Sequence, residues 1–63
     1  MRELQNLVGK RGTALVAVFE RGRVRIDGLE FDAEAAGAMI PFGAEVEVVA
    51  VSGEGRQRVK RAH

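Results

Sequence analysis

The stretch Arg23–Asp32 reads RVRIDGLEFD, and its centre is the dipeptide Asp27-Gly28. Both central residues tolerate a positive φ, which a two-residue type I′ turn requires, so the stretch is predicted to be a tight β-hairpin. Apolar pairs then share one face of the hairpin and oppositely charged pairs share the other. The predicted cross-strand pairs are Ile26 with Leu29, Arg25 with Glu30, Val24 with Phe31 and Arg23 with Asp32.

The segments that flank this hairpin also have the composition of β-strands. Gly12 to Phe19 (GTALVAVF) is rich in branched residues and predicts a first strand. It stops at Glu20-Arg21-Gly22, where Gly22 is expected to supply the positive φ of a turn. After the hairpin, the third strand is predicted to continue to about Glu34.

A second hairpin is predicted near the C-terminus. Glu45 to Val51 (EVEVVAV) alternates at first and is apolar on both faces toward its end, which indicates a strand that twists or becomes more deeply buried there. Arg56 to Lys60 (RQRVK) returns as the last strand after a two-residue Gly53-Glu54 turn. The register of this turn pairs Val48 with Val59 and Glu47 with Lys60.

Five short strands and no convincing helix predict an all-β barrel. An open sheet would leave one apolar face uncovered, whereas closure removes both that face and the unpaired strand edges. Glycines at 12, 22, 37 and 43 are expected to relieve crowding where strands bend. The predicted core residues are Val16, Val18, Val24, Ile26, Leu29, Phe31, Val46, Val48 and Val59.

Charge and composition restrict the function. Ten basic and nine acidic residues leave a formal charge of +1, so bulk electrostatics do not indicate a phosphate-binding surface. No apolar run approaches the roughly 18 residues that span a bilayer, no secretory signal is present, and the chain as given is expected to be soluble. The absence of cysteine agrees with a reducing compartment.

The inventory of reactive groups is nearly empty, so we expect no catalytic residues, no cofactor and no metal. The single histidine is the terminal His63, where preorganised geometry is not expected. Thr13 and Ser52 are the only hydroxyl residues, and both have ordinary structural roles in a strand and a turn. Asp27 is assigned to the hairpin turn. The chain is therefore predicted not to be an enzyme.

The candidate binding residues lie at the turn near Pro41 and in the basic last strand. Ile40-Pro41 predicts extended backbone before a turn at Pro41-Phe42-Gly43. At its tip, Phe42 either anchors a protein partner or folds back over the barrel end, with Met39 and Ile40 plugging the same end. The basic residues of the last strand are the better candidates for an anionic partner, because Arg23 and Arg25 each face an acid. The predicted partner-binding residues are Phe42, Arg56, Arg58 and Lys60.

A single-stranded nucleic-acid-binding domain that uses the basic C-terminal strand is the alternative function. Small five-stranded barrels often carry oligonucleotides on exposed aromatic and basic residues. This chain has no Trp or Tyr and three Phe, of which only Phe42 is expected to be exposed. A nucleic-acid partner is therefore not the expected one.

The segments LVGKRGTALVAV, GRVRIDGLEFDAEA and IPFGAEVEVVAV, followed by a basic strand, resemble the C-terminal soluble domain of the NfeD family from about Leu7 to Val59. Phe19-Glu20-Arg21 departs from the pattern, since relatives often carry a proline before the turn glycine. The residues that carry the resemblance are Gly9, Gly12, Gly22, Val24, Gly28, Asp32, Ala33, Gly43, Val48 and Val49.

This resemblance implies a five-stranded OB-type Greek-key barrel without catalytic residues. It implies residues 9–61 as the barrel domain, after a linker at residues 1–8. In the family the domain follows membrane helices and works with stomatin-like or flotillin-like scaffold proteins in membrane organisation or membrane-protease regulation. A protease domain, where present, lies outside this chain. The full-length protein is thus expected at a membrane, with this domain on the cytoplasmic side, and weak self-association is left open.

Overall fold

The computed structural model describes residues 7–62 as five β-strands joined by turns and irregular segments. Residues 1–6 of the predicted linker, and His63, lie outside the described residues, whereas Leu7 is buried in the core. Between residues 7 and 62 there is no helix long and apolar enough to cross a membrane. The strands are β1 (Arg11–Ala14), β2 (Gly22–Ile26), β3 (Leu29–Ala35), β4 (Glu45–Val51) and β5 (Gln57–Arg61).

The strands form a closed barrel in the order β1-β2-β3-β5-β4, and β4 returns to pair with β1. All neighbours are antiparallel except β3 and β5, which are parallel. A five-stranded mixed Greek-key barrel of this kind is an OB-type fold. The predicted all-β OB-type barrel is confirmed.

The first hairpin has the predicted turn and register. Asp27 and Gly28 have φ values of 55° and 81°, as a type I′ turn requires. Each of the four predicted cross-strand pairs between β2 and β3 is present.

The second hairpin has the predicted pairs but a different turn. Val48 pairs with Val59 and Glu47 with Lys60, while the register shifts between Val48 and Ala50. The Ser52 N–H donates to the Arg56 carbonyl at 2.8 Å, so three residues lie in the loop instead of two. The irregularity at Val49 offsets this additional loop residue and preserves the predicted pairs. Val49 is exposed, so the prediction of deeper burial toward the end of β4 is wrong.

The first strand is shorter than predicted, because regular pairing ends at Ala14. Val18 instead forms an isolated bridge with Ile40, with two N–H···O bonds of 2.8 Å. Gly22 explains how Val18 fits, since a Cβ at position 22 would lie 2.7 Å from Val18 Cγ2. Gly22 is a strand residue and does not have the positive φ that was predicted for it.

The core follows the barrel interior with two corrections to the prediction. Val16 is exposed because it lies in the irregular segment after β1, where strand alternation no longer holds. Leu29 is exposed because β5 pairs with β3 only from Ala33 onward, and Phe31 is half-buried. The buried apolar residues are Leu7, Ala14, Val18, Val24, Ile26, Ala33, Ile40, Val46, Val48 and Val59.

Candidate functional site

Strand direction defines two ends of the barrel. The parallel strands β1, β3 and β5 all finish at one end, which we call the upper end, and β4 begins there. The lower end holds the turns of both hairpins and the chain entry, where Lys10 Nζ lies 2.8 Å from Asp27 Oδ2. The chain therefore enters at the end opposite to the segment that follows β3.

The turn that carries Phe42 is fixed to the upper end by backbone hydrogen bonds. The Ala44 N–H donates to the Pro41 carbonyl at 3.2 Å, and the Gly43 N–H donates to the Ala14 carbonyl at 2.9 Å. Gly43 has a φ of 85°, which completes the predicted turn. Phe42 is 74% exposed at its tip, so it does not fold back over the barrel.

Met39 and Ile40 have different roles. Ile40 is buried and closes the upper end, whereas Met39 is 57% exposed, so the expectation that both plug the barrel is wrong for Met39. The Val18–Ile40 bridge places residues 15–19 beside residues 39–42, and both segments carry exposed apolar side chains. We call these four residues the upper apolar patch: Val16, Phe19, Met39 and Phe42.

The basic residues of the last strand fall into two groups that differ in whether an acidic side chain is nearby. Arg58 Nε lies 3.3 Å from Glu34 Oε2, and Arg56 Nη1 lies 3.8 Å from Glu34 Oε1. Arg56 is also paired with Glu54. Because Glu34 is the β3 partner of Arg58, the parallel β3–β5 pairing brings this acid to both arginines. Arg56 and Arg58 are therefore already engaged within the chain.

Lys60 and Arg61 lie in a different environment. They line a groove of about 300 Å³ together with Ala36, Gly37, Ala38 and Met39. Lys60 pairs with Glu47 in the β4–β5 ladder, but no ion pair joins Lys60 or Arg61 to an acid within residues 7–62. Arg61 and Met39 were not among the predicted binding residues, because the long-range approach of residues 36–39 to β5 leaves no local sequence signal.

The outer face of the first hairpin neutralises itself as predicted. Arg23 contacts Asp32 at 3.3 Å and Glu30 at 3.4 Å, and Arg25 contacts Glu30 at 3.4 Å. These side chains are 47% to 70% exposed, and ion pairs in such positions contribute at most about 1 kcal/mol each. The charged pairs on this face help to set the register of the first hairpin and keep its outer surface solvated.

The two hydroxyl residues have structural environments. Thr13 is a β1 residue paired with both Arg25 and Glu45. Ser52 Oγ accepts backbone N–H bonds from Glu54 at 3.2 Å and Arg56 at 3.1 Å. Within residues 7–62 no group of three or more acidic, histidine or cysteine side chains is placed to hold a metal.

A closed barrel with an exposed apolar end and a cationic groove beside it defines a small binding domain of OB type. A family model described as the NfeD-like C-terminal, partner-binding domain matches residues 4–53, and the chain belongs to this family. The exposed apolar end of the barrel agrees with this description of a partner-binding domain.

Solved structures show the same fold. The soluble domain of a membrane protein implicated in regulation of membrane protease activity, from Corynebacterium glutamicum, is similar at a TM-score of 0.79 and 32% identity, over 89% of this chain and 94% of that one. The C-terminal domain of a stomatin operon partner protein from Pyrococcus horikoshii is similar at a TM-score of 0.81 and 24% identity, over 90% of this chain and 89% of that one. A comparison with curated proteins found no match.

Proposed function

We propose that this chain is a non-enzymatic interaction domain that binds a stomatin-like or flotillin-like protein through the upper apolar patch. The observation that carries the proposal is the exposure of Phe42 on a turn that backbone hydrogen bonds hold in place. An aromatic side chain on a fixed turn needs little backbone ordering on binding, and such a residue is a typical interface anchor. Family membership supports a protein partner, and the similarity to a stomatin operon partner protein is the reason for proposing a stomatin-like class.

We propose further that the domain belongs to a membrane-anchored protein and lies on the cytoplasmic side. A segment preceding Leu7 would reach the barrel at its lower end, since Lys10 contacts Asp27 there. The upper apolar patch would then face away from a preceding anchor and toward a partner. The barrel would act by bringing that partner to the anchored protein, in membrane organisation or protease regulation.

Of the predicted binding residues, this proposal keeps Phe42 and Lys60 as contacts. Arg56 and Arg58 are held by Glu34, so their recruitment by a partner would require those ion pairs to be replaced. Weak self-association through the same exposed apolar residues would compete with the partner.

The experiment measures binding of a purified stomatin-like protein to the 63-residue chain by isothermal titration calorimetry. Phe42→Ala is expected to weaken binding about tenfold or more, because truncation of a buried aromatic anchor costs roughly 2 kcal/mol or more. Leu29→Ala is the matched control, since Leu29 is 60% exposed but lies beside the hairpin turn at the lower end. Equal losses for both variants, or no loss for Phe42→Ala, would contradict the proposed surface.

A further inference from the structure

The groove beside the upper apolar patch combines apolar and cationic walls. Ala36, Ala38 and Met39 supply apolar side chains, and Lys60 and Arg61 supply the cations. Both cations are exposed and lack an acid partner within the described chain. The groove therefore presents positive charge directly against apolar surface.

The backbone of β5 is also open toward this groove. The Ala36 N–H donates to the Val59 carbonyl at 2.7 Å, and the paired residues of β3 and β5 end at Ala35 and Val59. Successive residues of a strand direct their backbone groups to opposite sides, so Arg61 faces the same side as Val59. The Ala62 N–H donates to the Glu45 carbonyl on the β4 side, which agrees with this alternation. The N–H and C=O of Arg61 therefore point into the groove beyond the end of β3.

We propose that this groove binds a short, extended, acidic segment of the protein partner, an inference that rests on the proposed interaction function. The segment would extend the sheet at Arg61 by backbone hydrogen bonds, which is the β-augmentation mode of peptide recognition. Its carboxylates would pair with Lys60 and Arg61, and an apolar side chain between them would pack on Met39. Phe42 would remain an anchor for the adjacent part of the partner.

Charge and shape favour this occupant. Lys60 and Arg61 both line the groove and have no acid partner within residues 7–62, so the groove is complementary in charge to an acidic segment. A nucleic-acid strand would require aromatic stacking platforms, and none of the described residues that line the groove is aromatic. A bilayer would contact a broad surface instead of a groove about 300 Å³ in volume.

The test uses a fluorescein-labelled ten-residue peptide of alternating Glu and Leu, titrated with the chain and followed by fluorescence anisotropy. Saturable binding is expected, and a peptide with Gln in place of Glu is expected to bind about tenfold more weakly. Equal binding of the two peptides would overturn the proposal. Binding of phosphatidylserine vesicles that the acidic peptide does not displace would overturn it as well, in favour of a lipid surface.

Variants of β5 locate the peptide on the barrel. The double variant Lys60→Gln with Arg61→Gln is expected to lose about tenfold in peptide affinity. Arg58→Gln is the matched control, because it removes an exposed cation of the same strand that Glu34 already holds, and a change of less than about twofold is expected. Equal losses in the two cases would refute a local groove.

The two proposals fail in different ways. If Phe42→Ala weakens binding of the stomatin-like protein while the Lys60 and Arg61 double variant does not, the interaction function stands and the acidic segment is refuted. If the double variant weakens binding of both peptide and protein, the groove is supported. If the peptide binds at the groove but no stomatin-like protein binds the chain, the partner class is refuted and the groove stands.

Discussion

Gly12 has no room for a side chain. A Cβ at this position would lie 2.1 Å from the Arg25 carbonyl oxygen and 2.7 Å from Ile26 Cγ1, and Gly12 is also paired with Val46. Gly12→Ala is expected to lower the free energy of unfolding by about 3 kcal/mol, because the backbone of β1 and β2 would have to separate. Urea denaturation measures the change.

Gly37→Ala is the control for this prediction. A Cβ there meets nothing within 4 Å, and Gly37 does not have a positive φ. We expect unchanged or slightly higher stability, since alanine restricts the unfolded chain. A loss at Gly37 equal to that at Gly12 would mean that close approach is not the cause.

Gln57 is a polar residue that is buried among the apolar residues of the barrel. It is buried between strands β3 and β4, and its Oε1 atom makes no hydrogen bond within the described residues. An unsatisfied buried acceptor costs free energy that an apolar side chain of similar length would not. Gln57→Met is expected to raise the free energy of unfolding by about 1 kcal/mol, measured by urea denaturation. A destabilised variant would show that the amide has a stabilising role.

At the scale of elements, the first hairpin is the part of the molecule whose turn and register follow most directly from the local sequence. Gly28 has a φ of 81°, which a β-branched residue resists. Gly28→Val is expected to destabilise the fold by about 2 kcal/mol, whereas Arg25→Gln should cost under about 1 kcal/mol because its ion pair with Glu30 is exposed. Thermal denaturation of both variants measures the difference, and equal losses would contradict the importance of the turn.

The hairpins could be predicted because their information is local. Asp27-Gly28 sets a register that extends unchanged to Arg23 and Asp32. The second hairpin was predicted with the correct pairs and the wrong loop, because the break in alternation at Val49 fits a more deeply buried strand as well as a bulge. Branched residues after Ala14 suggested a longer first strand, but the barrel bends there and only Val18 pairs again.

The binding surface was less predictable because it depends on contacts between distant segments. Phe42 could be found from its turn, whereas Met39 could not be separated from its neighbour Ile40 without knowing which of them closes the barrel. The parallel pairing of β3 with β5 brings Glu34 to Arg58, so two of the predicted cations are engaged. The same pairing ends before Arg61 and leaves the groove, which no local pattern indicates.

At the scale of the whole molecule, the barrel separates its ends by function. The lower end carries the chain entry and both hairpin turns, and the upper end carries exposed apolar residues beside Lys60 and Arg61. The cylinder wall between them is largely self-neutralised by exposed ion pairs, as between Arg23 and Asp32. A wall of this kind keeps the domain from nonspecific association and leaves recognition to one end.

This arrangement opposes the nucleic-acid alternative. Arg56 and Arg58 are paired with Glu34, and the described residues supply no row of exposed aromatic side chains along β5 on which bases could stack. A fluorescein-labelled twenty-residue oligothymidine is therefore expected to show no saturable anisotropy change at 150 mM salt, a condition at which roughly millimolar or weaker binding goes undetected.

Repeating the oligothymidine titration at low salt distinguishes weak electrostatic binding from a nucleic-acid function. Any binding at 20 mM salt should be lost by about 100 mM and should respond to Lys60→Gln more than to Arg58→Gln, because Lys60, unlike Arg58, has no acid partner in the described chain. Tight binding that persists at about 150 mM salt and weakens when Arg56 and Arg58 are replaced by Gln would establish the nucleic-acid function instead. It would also show that an oligonucleotide can displace Glu34 from both arginines, which the present ion-pair geometry opposes.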